Sequence, residues 1–410
     1  MPTRPEGRRA SLRSLLRGNV GALALISLLN DAASEMIYPL LPLFLTGVLG
    51  AGPALLGLIE GVAESTASLA KLAGGVISDR IGRRKGLVGW GYGIAAFVRP
   101  AIAVVTAPWH VLLVRFADRV GKGIRTAPRD ALIVESVPED RRGAAFGLHR
   151  AADHLGSVLG PLVAAAILVA LPGRLRLVFG LALIPGVLSL LVWWRGVTET
   201  GAGRSAPAAA AASPAGDRPP PQDTRPFAAY VTVVVLFTLG NASDAFLLLR
   251  ASDLGVPMAA IPLLWGLLHV SKTVWSVPGG LVADALGPKP VIALGWLLYA
   301  AVYAGFAVAT SAVHIWILFA VYGLFFGLTE APEKALVARL APVHARGRAF
   351  GIFHAAVGFA ALPSSLIFGM VWQVWGAANA FYMGACLALA TTVSLPSFVR
   401  ETALTPSGLR

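Results

Sequence analysis

Asp31 and Glu35 stand four residues apart in an otherwise apolar stretch, and Glu60 and Glu64 do the same in the next one. Side chains four apart share a helix face. A later stretch carries Arg115, Asp118, Arg119 and Lys122, with the three bases on one helical stripe and Arg125 and Arg129 continuing it. Ionisable groups inside apolar segments are costly, so they turn toward a cavity or toward one another. Carboxylates crowded away from bulk water hold protons more readily than isolated ones, which suits proton exchange. An arginine stripe can grip an anion through paired hydrogen bonds. It can equally pair with Asp31, Glu35, Glu60 and Glu64 and change partners when a cavity changes face. Both readings stay open, with Arg115 the base expected to matter most.

Other side chains could line the same space. Asn30 and Tyr38 flank the first carboxylates, and the second half of the chain offers Asn241, Asp244, Trp265, His269, Lys272 and Glu330. Glu330 and Lys334 are spaced to pair on one helix. His149 and Asp153, also four apart, could relay protons or touch a metal, but the same helix offers no second histidine in a tight ligand spacing with His149. A satisfied polar pair is the expectation there, and no metal site or cofactor is expected. Nucleophilic catalysis lacks a convergent nucleophile and base. The segment "GLIEGVAES" lacks the Gly-Lys-Ser/Thr of a phosphate loop. The single Cys386 excludes an intramolecular disulfide and a cysteine-based metal cluster. An enzyme is therefore not expected.

The elements that must position these groups follow from composition. The 410 residues are 56% hydrophobic and 13% charged, against about 25% charged in soluble domains. Apolar runs fit twelve spans at 19–45, 54–79, 86–107, 109–134, 143–170, 176–195, 227–249, 257–283, 289–310, 313–338, 348–370 and 376–398. The fold class expected is an all-α polytopic membrane protein. No cleavable signal peptide is evident. The net charge of +13 is spread as topology signals, not as one basic patch, so no nucleic-acid partner is expected. Arg and Lys gather in the N-terminal tail and in the 2–3, 6–7 and 10–11 connections, while 46–53, 107–108 and 311–312 carry none. Arg174, Arg176 and Arg250 are exceptions. The bias places both termini in the cytoplasm. The organisation expected is a basic tail 1–18, a six-helix unit 19–195, a flexible linker 196–226, a second unit 227–398 and a tail 399–410.

The two units are copies. "APRDALIVESVPEDRRGAAFGLHRA" (127–151) aligns without a gap on "APEKALVARLAPVHARGRAFGIFHA" (331–355). Gly74, Gly75 and Asp79 likewise match Gly279, Gly280 and Asp284. Glu333 falls opposite Arg129, a charge reversal that could pair the halves across a closure. A parallel six-helix repeat makes two bundles about a pseudo-two-fold axis, with a cavity between them.

The loop "GGVISDRIGRRK" (74–85) resembles the signature of the major facilitator superfamily, with Gly75, Asp79, Arg80, Gly82, Arg83, Arg84 and Lys85 at its positions. "RFADRVGKG", with Arg115 and Gly121, resembles the family pattern of the fourth helix. "NDAASEMIYPLLPLFL" (30–45) and "RVGKGIRTAPRDALI" (119–133) resemble a bacterial subgroup of permeases and efflux proteins. The resemblance implies twelve transmembrane helices in two six-helix bundles and alternating access driven by an ion or solute gradient. It also implies a cytoplasmic gate, to which Gly75, Asp79, Arg80, Arg83, Arg84, Arg129, Asp284 and Glu333 are assigned. The second copy continues after Asp284 as "ALGPKP", without the Arg cluster. The expectation is a monomeric transporter of the bacterial inner membrane, most simply a proton-coupled exporter of a small organic solute or drug. Asp31, Glu35, Glu60, Glu64, Arg115, Asp118 and Arg119 are the expected coupling groups. A permease reading an anionic metabolite through Arg115, or a divalent-metal exporter, are the alternatives.

Overall fold

The computed structural model describes residues 16, 18–81, 84–138, 141–200, 225–341 and 346–398. Within the described residues all regular structure is helical. In the first half α1 is Asn19–Ile37 with irregular turns to Val48, and α2 is Pro53–Ile81. Then come α3 (Arg84–Val98, extended by the tight turn Pro100–Val104), α4 (Pro108–Glu135), α5 (Arg142–Ala170) and α6 (Leu175–Leu181 with Leu183–Gly196). In the second half α7 is Arg225–Gly240 with Ala245–Asp253, and α8 is Ile261–Leu286. The chain closes with α9 (Pro288–Val308), α10 (Ala312–Leu340), α11 (Arg346–Trp375) and α12 (Ala377–Phe398).

The repeat is visible in the packing. In the first half α1 packs on α5 and α6, α2 on α4, and α3 on α4 and α6. In the second half α7 packs on α11 and α12, α8 on α10, and α9 on α10 and α12. One close approach is copied residue for residue: Gly74 meets Gly123 between α2 and α4, and Gly279 meets Gly327 between α8 and α10. Glycine at such crossings lets backbones touch. The halves meet chiefly along two seams, α2 with α11 and α5 with α8. On the first, a Cβ on Gly57 would collide with the Ser365 backbone, and one on Gly61 with that of Leu362.

Twelve spans were expected. Among the described residues, nine helices are long and apolar enough to cross a membrane by length and composition. α2, α4 and α8 are long enough at 29, 28 and 26 residues but too polar. The reason is their content: these are helices that carry the charges of the central cavity described below.

Two of the three arginines that depart from the charge bias, Arg176 and Arg250, have structural partners. Arg176 donates to the carbonyls of Ala103 and Val105, both at 2.8 Å, and lies over the Phe44 ring. Arg250 donates to the carbonyls of Phe306 at 3.3 Å and Ala309 at 3.0 Å. Each satisfies orphan carbonyls at a helix end, where a cation also meets the favourable end of the helix dipole.

The linker expected from residue 196 begins as a pinned strap. Asn19 donates to the Thr198 carbonyl and accepts from the Thr198 N–H at 2.8 Å. Glu199 accepts the backbone N–H groups of Arg84 at 2.9 Å and Lys85 at 3.1 Å, capping α3. Thr200 donates to Glu135, which also pairs with Arg84. Polar composition serves capping as well as flexibility, so the sequence reads both ways. The remainder of the linker, 201–224, and the tails 1–15 and 399–410 lie outside the described residues.

Candidate functional site

A cavity of 390 Å³ lies between the halves. Asp31, Ser34, Glu35 and Tyr38 of α1, Glu64 and Ser68 of α2, and Arg99 of α3 form part of its wall. Arg119, Lys122 and Arg125 enter from α4. The second half contributes Thr238 and Asn241–Asp244 of α7, Trp265 and Lys272 of α8, Tyr322 and Phe326 of α10, and Val357, Gly358, Ala361 and Ser365 of α11. One end is sealed, because Leu41–Leu43 pack against Ala245–Asp253. Away from that seal the Glu64 side chain is half exposed.

Local irregularities aim several of these groups. α7 breaks between Gly240 and Ala245, which lets Asn241, Ala242, Ser243 and Asp244 face the cavity. The freed backbone groups are answered: Tyr299 donates to the Gly240 carbonyl at 3.0 Å, and the Ser243 N–H reaches Ser365 Oγ at 3.2 Å. Irregular backbone at membrane depth is tolerated where it lines a cavity and is satisfied in this way. Asn241 and Asp244 sit in the second copy near the place that Asn30 and Asp31 hold in the first. In the first copy that stretch stays helical, and the irregular turns come later, around Pro39 and Pro42.

The charges sort into locked pairs and open groups. Arg115 holds Glu60 through Nη2 at 2.7 and 2.9 Å, with Glu60 1% exposed. Arg99 Nε holds Asp118 at 2.6 Å, and its Nη1 reaches the carbonyl and the amide oxygen of Asn30, both at 3.0 Å. Asn30 in turn donates to Asp31 at 2.9 Å. Glu60, Arg115, Asp118 and Asn30 are therefore withdrawn behind the wall of the large cavity. Arg115 and Asp118 instead border a water-sized gap of 10 Å³ behind Tyr38. Arg115 lies over the Tyr38 ring at 5.2 Å.

The open groups are different. Glu64 stands 4.0 Å from Arg119, and the Arg119 Nε is buried without a partner. The Lys122 ammonium has no hydrogen bond or close ion pair to a described residue. Arg125, the continuation of the basic stripe, lies on the cavity wall, 3% exposed, over the Tyr92 ring at 4.6 Å. Asp31 has only the Asn30 amide. Glu35 accepts the Trp265 indole N–H at 2.6 Å across the two halves, with His269 at 4.0 Å. In the second half Asp244 pairs with Lys272 at 3.7 Å and accepts from Tyr322 at 2.9 Å.

Several expected cavity residues lie elsewhere. His149 and Asp153, 3.5 Å apart, sit where α5 packs on α1, and Asp153 accepts from Ser27. Gly156 and Gly160 bring the α5 backbone against α1 and so turn that face away from the cavity. His269 lies behind Trp265, and Glu330 is exposed and paired with Lys334 at 3.1 Å. The Arg129–Glu333 pair does not form: Arg129 binds its neighbour Asp130 at 2.8 Å, and Glu333 accepts from Trp296 at 3.2 Å. Arg84 turns to Glu135 within its own half, and Asp284 is exposed near the end of α8. Of the remaining gate residues, Arg83 and the side chains of Asp79 and Arg80 lie outside the described residues, as does the surroundings of Gly75. Among the described residues no cluster of three His, Cys, Asp or Glu could hold a metal ion.

A profile of the Major Facilitator Superfamily matches residues 23–271 and 227–408. The chain belongs to this superfamily. An uncharacterised MFS-type transporter of Methanocaldococcus jannaschii is 32% identical over 380 residues, covering 91% of this chain and 93% of that protein. Among solved structures, the nucleoside transporter NupG superposes with a TM-score of 0.75 at 14% identity, covering 93% of this chain and 99% of that one. A bacterial homologue of the human lysosomal transporter Spinster gives 0.72 at 16% identity, over 97% and 96%. These structural likenesses are likenesses of fold. As a superfamily member the chain is a multi-pass membrane transporter working by alternating access, embedded in the lipid bilayer, and not an enzyme. It draws on gradients rather than on a bound cofactor.

Sequence reasoning passed over four residues of this facilitator's cavity. Arg99 is a lone base in an apolar run and carries the same signal as Asp31. Ser243 bridges the halves, with its hydroxyl 3.3 Å from Glu60 and 3.4 Å from Tyr38. Ser365 and Tyr322 are polar residues in apolar helices that gain meaning only from their partners.

Proposed function

We propose that the chain is a proton-coupled secondary transporter of small organic solutes, with Asp31 and Glu35 as the proton-exchanging groups. The observation that carries this reading is the contrast among the carboxylates. Glu60 and Asp118 are clamped by arginine, whereas Asp31 and Glu35 line the cavity and have only neutral donors at hydrogen-bonding distance. A clamped carboxylate stays ionised through a cycle. An unclamped one can take up and release a proton as the cavity changes face. Glu35 also reports across the halves, because its hydrogen bond to Trp265 breaks when they separate.

In this reading all twelve helices cross the inner membrane, as two six-helix bundles related by a pseudo-two-fold axis, in a monomer. The positive charge bias puts both termini in the cytoplasm. The sealed end at Leu41–Leu43 then faces outward, and the cavity is open inward. Export by antiport, the direction expected from the sequence, requires solute and protons to compete for the same carboxylates. Co-transport requires them to bind together.

The test is solute-evoked proton flux in proteoliposomes carrying a pH-sensitive dye, screened over small organic anions, cations and neutral compounds. Asp31→Asn and Glu35→Gln should abolish proton-driven accumulation while sparing some downhill exchange. Undiminished uphill transport in both variants would remove these residues from coupling.

A further inference from the structure

The cavity walls differ in character. On the α4 side Arg119, Lys122 and Arg125 follow one another at helical spacing, and each faces the cavity. Arg119 and Arg125 are more than nine-tenths buried. None of the three is clamped by a carboxylate in the way that Arg115 and Arg99 are. On the α8 and α10 side the wall is aromatic. Trp265 packs on Tyr38 at 4.9 Å between ring centroids, and Phe326 lies under the Lys272 ammonium at 3.5 Å.

We propose that the solute is an organic anion with a flat apolar part, its carboxylate or phosphate held by Arg119 and Lys122 and its apolar part laid against Trp265 and Phe326. Arg115, the anchor expected from the sequence, is excluded because Glu60 holds it away from the cavity. A guanidinium held only loosely, 4.0 Å from Glu64, beside an unpaired ammonium supplies donors for two anion oxygens. Aromatic walls favour a flat apolar partner over a second polar group.

This inference rests on the proton-coupled reading and gives its direction. Asp118 neutralises Arg99, and Asp244 neutralises Lys272, so the open charges are Arg119, Lys122 and Arg125 against Asp31, Glu35 and Glu64. Protons on Asp31 and Glu35 leave the cavity with an excess of two positive charges, which attracts an anion. By linkage the anion strengthens proton binding in return. Protons and anion therefore bind together and cross together, which makes the transporter an uptake symporter in place of the expected exporter.

The experiment uses three probes sharing one ring and chain: phenylacetate, phenylacetamide and phenethylammonium. Each is titrated by calorimetry into the purified full-length protein in phosphatidylcholine nanodiscs. Phenylacetate should bind, and bind more tightly as pH falls within the near-neutral range where the probe stays ionised. Lys122→Gln should weaken it at least tenfold, and Lys122→Arg should restore it. Phe326→Leu should weaken phenylacetate while leaving acetate unchanged. Preferential binding of phenethylammonium, binding of none of the three, or unaltered phenylacetate affinity in Lys122→Gln overturns the proposal. Nanodiscs containing phosphatidylglycerol identify the source of the anion: if that lipid blocks Lys122 and phenylacetate fails to displace it, the site holds a headgroup and the soluble-anion assignment falls. Failure of the coupling reading looks different. Phenylacetate would still bind through Lys122, but with the same pH dependence in the Asp31→Asn/Glu35→Gln double variant as in the parent.

Discussion

Replacing Arg99 with leucine should be among the most damaging single changes in the chain. Arg99 is buried, and its three hydrogen bonds go to Asp118 and to two oxygens of Asn30. Without it the Asp118 carboxylate, 3% exposed, is stranded. Breaking a buried ion pair from one side costs about 3–5 kcal/mol. Removing both partners, in Arg99→Leu/Asp118→Leu, leaves no stranded charge. The residual cost is then about 1–3 kcal/mol for the unanswered Asn30 oxygens. The double variant should therefore be more stable than Arg99→Leu by roughly 2 kcal/mol. Thermal unfolding of the four proteins in one detergent gives the cycle. The reasoning fails if Arg99→Leu melts with the parent, or if the double variant melts below both single variants. Transport separates a second consequence. Arg99 fixes Asn30, whose amide points at Asp31 at 2.9 Å. Proton-coupled flux should stay impaired in the double variant even as its stability recovers.

Other outcomes follow from neighbouring contacts. Glu60→Gln strands the Arg115 guanidinium and should lower the melting temperature by an amount comparable to Arg99→Leu, whereas Glu60→Leu/Arg115→Leu should regain part of it; equal melting of all three would refute the clamp. Glu199→Ala uncaps α3 and should cost roughly 1 kcal/mol, visible as faster amide exchange at Arg84 and Lys85; unchanged exchange would sink the strap. Exchanging the charges of Arg129 and Glu333 should not rescue transport lost in the single reversals, because each binds within its own half; rescue would show that they meet in another conformation. Gly57→Ala and Gly61→Ala should each abolish turnover by pushing α2 from α11, and normal flux in either would refute the tight seam.

The parts of this structure that were legible in the sequence share one physical origin. A charge in an apolar run is so costly that its presence announces a cavity, and Asp31, Glu35, Arg119, Lys122 and Asp244 all line one. The copied segments announced the copied packing, down to Gly74–Gly123 and Gly279–Gly327. What could not be read was rotation. Whether Arg115 or Arg119 faces the solute depends on how α4 rolls against α2, and that is fixed by backbone contact rather than by charge. The place of His149 turned on the same thing: its pairing with Asp153 follows from spacing, but glycines on α5 decide that this face meets α1 and not the cavity. The strap turns on a different point: a run of Thr and Glu has the same composition whether it links two units loosely or caps a helix.

The glycine seam between α2 and α11 also bears on speed. Contacts at Gly57, Gly61, Ser65 and Ser68 against α11 fall on one line, roughly 16 Å long at the helical rise. Most helix pairs lock by side-chain ridges seated in grooves, and sliding them requires every ridge to climb out at once. Backbone resting on backbone, as at Gly57 and Gly61, offers little to climb. Such a seam behaves as a bearing, so rolling one half over the other meets little friction there. The barrier to the change of face then resides at the sealed end, in the apolar surface that Leu41–Leu43 and Ala245–Asp253 must give up to open.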